Sequence, residues 1–320
     1  MKPILVIQDL SIGFYIEKRL VPAVIDINLT LREAETVCIV GESGCGKTIT
    51  SLSIMRLLPP NGRVLKGKIL FNNKDLTILP EDQMQKIRGK EISMIFQEPL
   101  TSLNPVFTIK EQIAEVMRTH LDITEKEIEE RCLKLLRIVG ISNPEKRLYN
   151  YPHQLSGGQR QRIMIAIALA CNPKIVIADE PTTALDVTVQ AQILNLFKEL
   201  QEKYKISLLY ITHDLSVVAQ IADRVYVMYA GMILEEASSE QLFYNPCHPY
   251  TKGLLESLPK RQQKGKRLTS IPGTVPDLLS RPSGCPFYPR CLIAKKICER
   301  KIPKLKEYED GHKVRCHILE

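Results

Sequence analysis

Apolar residues in this chain follow two rhythms. Short, uninterrupted and β-branched runs, "ETVCIV" (35–40), "KIVIAD" (174–179) and "ISLLYIT" (206–212), predict strands buried on both faces. In "TITSLSIMRLL" (48–58) and "TVQAQILNLFKELQEKY" (188–204) the apolar residues return every three or four positions, the spacing of amphipathic helices. Buried strands alternating with helices predict an α/β fold around a mostly parallel sheet. The stretch from 108 to 140 is charged and helix-periodic with no buried strand, which predicts a helical insertion at the side of that sheet. "DRVYVMYAGMILEEA" (223–237) alternates like a hairpin with Gly231 at its turn. The N-terminal "MKPILVIQDLSIGF", broken by Gln8 and Asp9, predicts an edge strand.

Composition adds limits. At 320 residues, 44% hydrophobic and 25% charged, the chain is too long for one small core, so one large domain with an extension, or two domains, are expected. At "NPCHPY" (245–250) prolines become frequent and basic clusters such as "KRQQKGKR" follow, which puts a boundary near 245. The start of the chain lacks a secretory apolar region and cleavage site, so a cytoplasmic protein is expected. The longest apolar run, "IMIAIALAC" (163–171), is half of the roughly twenty residues that a spanning helix requires, and no crossing is expected. A formal charge of +8 without a long Lys/Arg block fits nucleic acid, an anionic membrane surface, or a phosphate site with a solvated basic face. Cys38, Cys45, Cys132 and Cys171 are scattered and read as small buried hydrophobes.

Chemistry enters at "GESGCGKT" (41–48), which fits G-x-x-x-x-G-K-[ST] between a strand and a helix. Gly41, Gly44 and Gly46 let backbone N–H groups curl around a phosphate, with Glu42, Ser43 and Cys45 completing the loop. Lys47 reaches terminal phosphates and the Thr48 hydroxyl can ligate Mg²⁺. "IVIADE" (175–180) ends a buried strand in two carboxylates. Alone they are compatible with a helix cap; beside a phosphate loop, Asp179 would hold Mg²⁺ through water and Glu180 would polarise the attacking water. "LSGGQRQR" (155–162) is either a second phosphate-binding helix N-terminus or an ordinary Ser-capped helix start.

"LSGGQ" about twenty residues before "IVIADE", followed by "ALD" (184–186) and "ITHD" (211–214), all after "GESGCGKT", resembles the ATP-binding cassette of ABC transporters over about residues 4–240. The resemblance implies a P-loop NTPase with a RecA-like core, a β-subdomain and an inserted helical subdomain (about 100–165) in a cassette spanning 1–245. It implies that Gln97 senses Mg²⁺ and the γ-phosphate, that His213 contacts the γ-phosphate, and that Asp186 links two nucleotide sites. Phe14 or Tyr15 would stack on adenine. Leu155, Ser156, Gly157, Gly158 and Gln159 would close over ATP held by a partner cassette, with Mg²⁺ on Thr48, Gln97 and Asp179.

"MIFQEPLTSLNPVFTI", "YPHQLSGGQRQRIMIAIALACNPKIVIADEPTTALDVTVQAQIL" and "HPYTKGLLESLP" narrow the resemblance to the ATP-binding subunits of dipeptide and oligopeptide permeases. That branch implies ATP hydrolysis coupled to peptide import at the cytoplasmic face of the inner membrane. Its partners would be a second ATP-binding subunit, two membrane-spanning permease subunits and an extracytoplasmic solute-binding protein. Nickel and metallophore importers belong to the same branch, and a soluble cassette ATPase acting on nucleic acid is the alternative from another class.

Cys285, Cys291, Cys298 and Cys316, separated by five, six and seventeen residues, lie in the extension 246–320. Four thiolates can enclose zinc, with His312 or His317 replacing one, or an iron–sulfur cluster, or they can remain unligated. The usual two-to-four-residue zinc spacing is not met. Similar tails in peptide-permease ATPase subunits imply a [4Fe–4S] cluster; the role expected of the tail is structural, with redox sensing as the alternative.

Overall fold

The computed structural model describes residues 2–183, 185–258 and 271–319, excluding the side chains of Pro99 and Leu100. Ala184 of "ALD" and the "KRQQKGKR" cluster lie outside the described residues. The described strands are β1 (Pro3–Ile16), β2 (Arg19–Arg32), β3 (Thr36–Val40), β4 (Gly62–Phe71), β5 (Lys74–Asp75), β6 (Ile92–Ile95), β7 (Ile175–Asp179), β8 (Ser207–Thr212), β9 (Arg224–Tyr229), β10 (Met232–Ser238), β11 (Lys306–Glu309) and β12 (His312–Val314). They fall into two compact units, one of Glu33–Glu35 with Ile78–Tyr210, the other of Lys2–Arg32, Thr36–Thr77 and the residues from Ile211 on.

The second unit holds an antiparallel sheet in the order β2-β1-β4-β5. β1 is therefore interior, not the edge strand expected: Leu5 pairs with Leu31 on one side and Phe71 on the other. The polar break that suggested an edge is a bulge. Register with β2 shifts between Ile7 and Leu10, and Asp9 takes φ 48°. The Asp9 N–H donates to Asn28 Oδ1 (3.0 Å) and the Asn28 amide donates to Asp9 Oδ1 (3.1 Å), so the irregular backbone is satisfied locally. In the same unit the fully buried β3 runs parallel to β9. β9 and β10 form the expected hairpin around Gly231, and β12 and β11 add on beyond β10.

In the first unit β6 and β7 pair in parallel, with β8 on the other side of β7. The helical insertion is the pair Ile109–His120 and Glu125–Ile138, which pack on each other and on Gly157–Ala168. Both begin where Thr108 and Thr124 accept from the backbone three residues on, and Glu127 closes a capping box with Thr124. No helix among the described residues is long and apolar enough to cross a membrane.

A buried carboxylate is one of the points that fasten the C-terminal residues. Glu235 of β10 accepts from the N–H groups of Cys247 (2.7 Å) and His248 (3.0 Å) and pairs with His312 Nε2 of β12 (2.7 Å). Burial alone would push its carboxyl up; the hydrogen bonds from His312, Cys247 and His248 hold it below the usual carboxylate range. His248 in turn starts the helix Pro249–Glu256, its Nδ1 accepting from the Tyr250 N–H (3.0 Å). Only a neutral ring can accept there. Burial, opposed by Glu235, pushes His248 down from 6.5 to about 4.

The folded chain thus binds fewer protons at His248 than the unfolded chain, so this stabilisation is full above pH 6.5 and is lost as pH falls toward 4. Denaturant titration is expected to show a loss of about 2 kcal/mol from this group between pH 7 and pH 5. His248→Asn keeps an acceptor without the titration and should flatten that dependence; equal slopes for the two proteins would refute the assignment.

Candidate functional site

The candidate residues occupy both units, and each set is built differently. In the second unit β3 delivers the chain into the loop 41–46, and the helix Lys47–Ile54 follows, with Gly46 at φ 105° in front of it. Lys47 is 4% exposed, and its ammonium donates to the carbonyl oxygens of Gly41 (2.9 Å) and Glu42 (3.1 Å). Ser43, Gly44 and Thr48 are exposed, whereas Cys45 is buried and its thiol is pushed up, first by burial.

Two glycines shape this loop by close approach. A Cβ on Gly41 would stand 2.0 Å from the carbonyl oxygen of Met228 at the end of β9. Gly231, at φ 82° in the hairpin turn, leaves no room for one either, with the Ala23 carbonyl oxygen 2.0 Å away. Its N–H donates to the Cys45 carbonyl (2.8 Å) and its carbonyl accepts from the Ile25 N–H (2.8 Å). The hairpin thereby ties the loop 41–46 to β2. Gly231 was legible as a turn, but not as a loop anchor.

Of the two aromatic candidates, Phe14 is half-buried and meets the space beside Gly62, while Tyr15 is 52% exposed. Adjacent residues of a strand face opposite sides, so only one can face a ligand. His213 is exposed just beyond β8, and Asp214 caps the helix Leu215–Ile221 by accepting from the Ser216 N–H (2.8 Å).

In the first unit β7 is buried to its end at Asp179, 2% exposed. Glu180 then turns into the left-handed region at φ 45°, a conformation that costs a non-glycine residue of order 1 kcal/mol or more. Its Oε2 accepts from Gln97 Nε2 (3.2 Å) and from Thr183 Oγ1 (3.1 Å), which aims the carboxylate. The structure thus brings Gln97 to Glu180, residues 83 positions apart.

The signature segment begins the helix Gly157–Ala168. Ser156 Oγ accepts from the Gln159 N–H (3.3 Å) and Gln159 Oε1 accepts from the Ser156 N–H (3.1 Å), a capping box. Leu155 is buried, Ser156 and Gly157 are exposed, and a Cβ on Gly158 would meet Val189 at 2.7 Å. Asp186 caps the helix Val187–Tyr204 through the Val189 N–H (2.9 Å).

In the C-terminal region Cys285, Cys298 and Cys316 are buried and Cys291 is partly so. Burial pushes the Cys285 thiol up to about 11, and the neighbouring Cys298, Cys316 and Cys291 push it the same way. Among the described residues, the trio of potential metal-ligating side chains whose ligand atoms lie within 4.8 Å of one another is Glu235, Cys247 and His312, not the four tail thiols. That trio contains the hydrogen-bonded Glu–His pair described above. Burial and Glu235 push the Cys247 thiol up to about 11, so it stays protonated.

The ABC transporter family model matches residues 24–183, and the model of the oligopeptide/dipeptide transporter C-terminal region matches residues 234–298. The chain is 52% identical to the dipeptide transport ATP-binding protein DppD of Bacillus subtilis (strain 168), over 100% of this chain and 96% of that one. It is 50% identical to the oligopeptide transport ATP-binding protein AppD of the same organism, over 100% and 98%. Among solved structures, the dimeric MJ0796, a bacterial ABC transporter cassette, is similar with a TM-score of 0.66 at 29% identity, over 73% of this chain and 98% of that one. The same cassette in a post-hydrolysis state bound to ADP and Pi matches equally well.

The crowding at Gly231 makes it a sensitive position. Gly231→Ala is expected to lower stability by about 2–3 kcal/mol and to weaken nucleotide binding, because the displaced turn carries the Cys45 carbonyl with it. Thermal unfolding together with nucleotide titration checks this; an unchanged melting temperature would show that the turn has room to relax.

Proposed function

The chain belongs to the ABC transporter family, and from that premise we propose that it is the ATP-hydrolysing subunit of a membrane importer of dipeptides or oligopeptides. The observation that carries this reading is the full-length likeness to peptide-transport ATP-binding proteins, at 52% identity to DppD. In this reading residues 1–245 form the cassette, with its helical subdomain about 100–165, and 246–320 form the extension.

The loop 41–46 offers backbone N–H groups to the phosphates, and Lys47 adds a positive charge. Thr48, Gln97 and Asp179 would hold Mg²⁺, which when bound neutralises phosphate charge. Thr48, an exposed residue, and Asp179, at a strand end, each carry an oxygen ligand of the kind such an ion takes. Glu180 acts as the base toward water, a role supported by the hydrogen bonds that aim its Oε2. Tyr15, the more exposed of the aromatic pair, stacks on adenine, and His213 contacts the γ-phosphate.

Leu155, Ser156, Gly157, Gly158 and Gln159 serve the ATP of a partner cassette, and Asp186 links the two sites. Hydrolysis therefore belongs to a pair of cassettes, docked on two permease subunits at the cytoplasmic face of the membrane and supplied by a solute-binding protein. The exposed Phe96, Val106, Phe107, Tyr149 and Tyr151 suit the permease contact.

We assign Cys285, Cys291, Cys298 and Cys316 to a [4Fe–4S] cluster that braces the extension. A tetrahedral zinc ion, with Zn–S near 2.3 Å, would draw its sulfurs to about 3.8 Å apart. No three of these thiols come within 4.8 Å of one another, unlike that geometry, whereas Cys298, Cys316 and Cys291 all lie near enough to Cys285 to push its thiol up, which gathers the four-thiol donor set a cluster takes.

Glu180→Gln is expected to lower steady-state ATP turnover of the reconstituted importer by roughly 100-fold or more while ATP stays trapped in the cassette pair. Turnover equal to that of the unmodified complex would remove the base role. Uptake of labelled peptide should stop with it; nickel uptake without peptide uptake would move the cargo to the metallophore class. Anaerobically purified protein is expected to be coloured and to carry about four irons per chain, as a cluster requires. A colourless, iron-free preparation would overturn the cluster.

A further inference from the structure

The extension reaches the phosphate loop itself. Arg290, one residue before Cys291, is buried, and its Nη1 donates to both carboxylate oxygens of Glu42, at 3.1 and 2.9 Å. The guanidinium is fixed from the other side: Nε donates to the Pro272 carbonyl (2.8 Å), Nη1 donates to the Tyr229 hydroxyl (3.3 Å), and the charge lies over the Tyr229 ring at 5.7 Å. The turns that present it hang from the cysteines, since the Tyr288 N–H donates to the Cys285 carbonyl and the Cys291 N–H to the Tyr288 carbonyl. Glu42 is held at its other groups as well. Its N–H donates to the Tyr250 hydroxyl (3.0 Å) and its carbonyl accepts from Lys47 Nζ (3.1 Å).

Glu42 therefore places a carboxylate on the loop that must accept a triphosphate. Within a Debye length of that anion an uncompensated negative charge opposes binding, and a buried counter-charge cancels it with little screening. We propose that Arg290 is a positioning residue that neutralises Glu42 and thereby makes the C-terminal extension part of the nucleotide site. The proposal rests on the ATP-hydrolysing reading above. It concerns regulation of that site: whatever deforms the turn between Cys285 and Cys291 withdraws Arg290 and lowers ATP affinity.

The test is a charge-rescue cycle on the assembled importer, read as KM for ATP and kcat separately. Arg290→Gln is expected to raise KM roughly tenfold with kcat within about twofold. Adding Glu42→Gln to it should return KM to within about threefold of the unmodified complex, because no carboxylate then needs a partner. Glu42→Gln alone should lower KM below the unmodified value, because Arg290 is then an unpaired positive charge beside the phosphates. A double variant as impaired as Arg290→Gln alone, or a roughly tenfold rise for Glu42→Gln alone, would assign the effect to packing and overturn the proposal, as would an unchanged KM for Arg290→Gln. No turnover in the unmodified complex would defeat the underlying reading instead, and the same series read as Kd for a fluorescent ATP analogue would then decide the pairing.

Discussion

A lysine ammonium carries three donors and a full charge, and burying it is costly unless every donor is met. Lys47, 4% exposed, meets carbonyls of its own loop, those of Gly41 and Glu42. That requirement governs the second unit. The carbonyls can face inward only if the loop is tightly wound, and winding brings Gly41 so close to the end of β9 that no side chain fits. The hairpin turn after β9 then supplies the N–H that meets the Cys45 carbonyl, so a glycine nearly two hundred positions downstream completes the loop.

The first unit has its own tension in Glu180. A carboxylate at φ 45° stores backbone strain, and such strain persists only where neighbours over-determine the geometry. Here the hydrogen bonds from Gln97 and Thr183 do so, which ties the carboxylate to the segment after β6. A displacement of Gln97 has a direct route to that carboxylate. The cap at Ser156 is of another kind. Its side chain and that of Gln159 satisfy each other's backbone, leaving the flanking glycines bare.

The extension is organised by charge and hydrogen bonding more than by aliphatic packing. Glu235 gathers two backbone N–H groups and a histidine at zero exposure, and β12 is joined to β10 at that point. Tyr229, Tyr250 and Phe287 add an aromatic cluster with ring centroids 4.7–5.3 Å apart, against which Arg290 lies. A module poor in aliphatic side chains is thereby held in one compact unit with the loop that starts at Gly41.

The buried strands β3, β7 and β8, the helices after β3 and β7, the paired helices of the insertion and the hairpin at Gly231 were all legible along the chain, because period and turn chemistry are local properties. So were the glycine-rich loop between β3 and its helix and the carboxylates at the end of β7. What local pattern cannot express is which polar residue meets which across long separations. Gln8 and Asp9 looked like the fraying of an edge, yet Asn28 makes them a bulge inside a central strand. Gln97 and Glu180, or Arg290 and Glu42, have no shared period that could announce them, since each pair is selected by where two distant backbones end. The four tail cysteines were visible as a set, but the hydrogen bond from the Cys285 N–H to the Cys298 carbonyl (2.7 Å) is not something their spacing announces. Sequence alone determined the strands, helices and reactive groups, whereas the tertiary structure decided the partners of each buried charge, because a desolvated charge is satisfied only by atoms that the fold brings within about 3 Å of it.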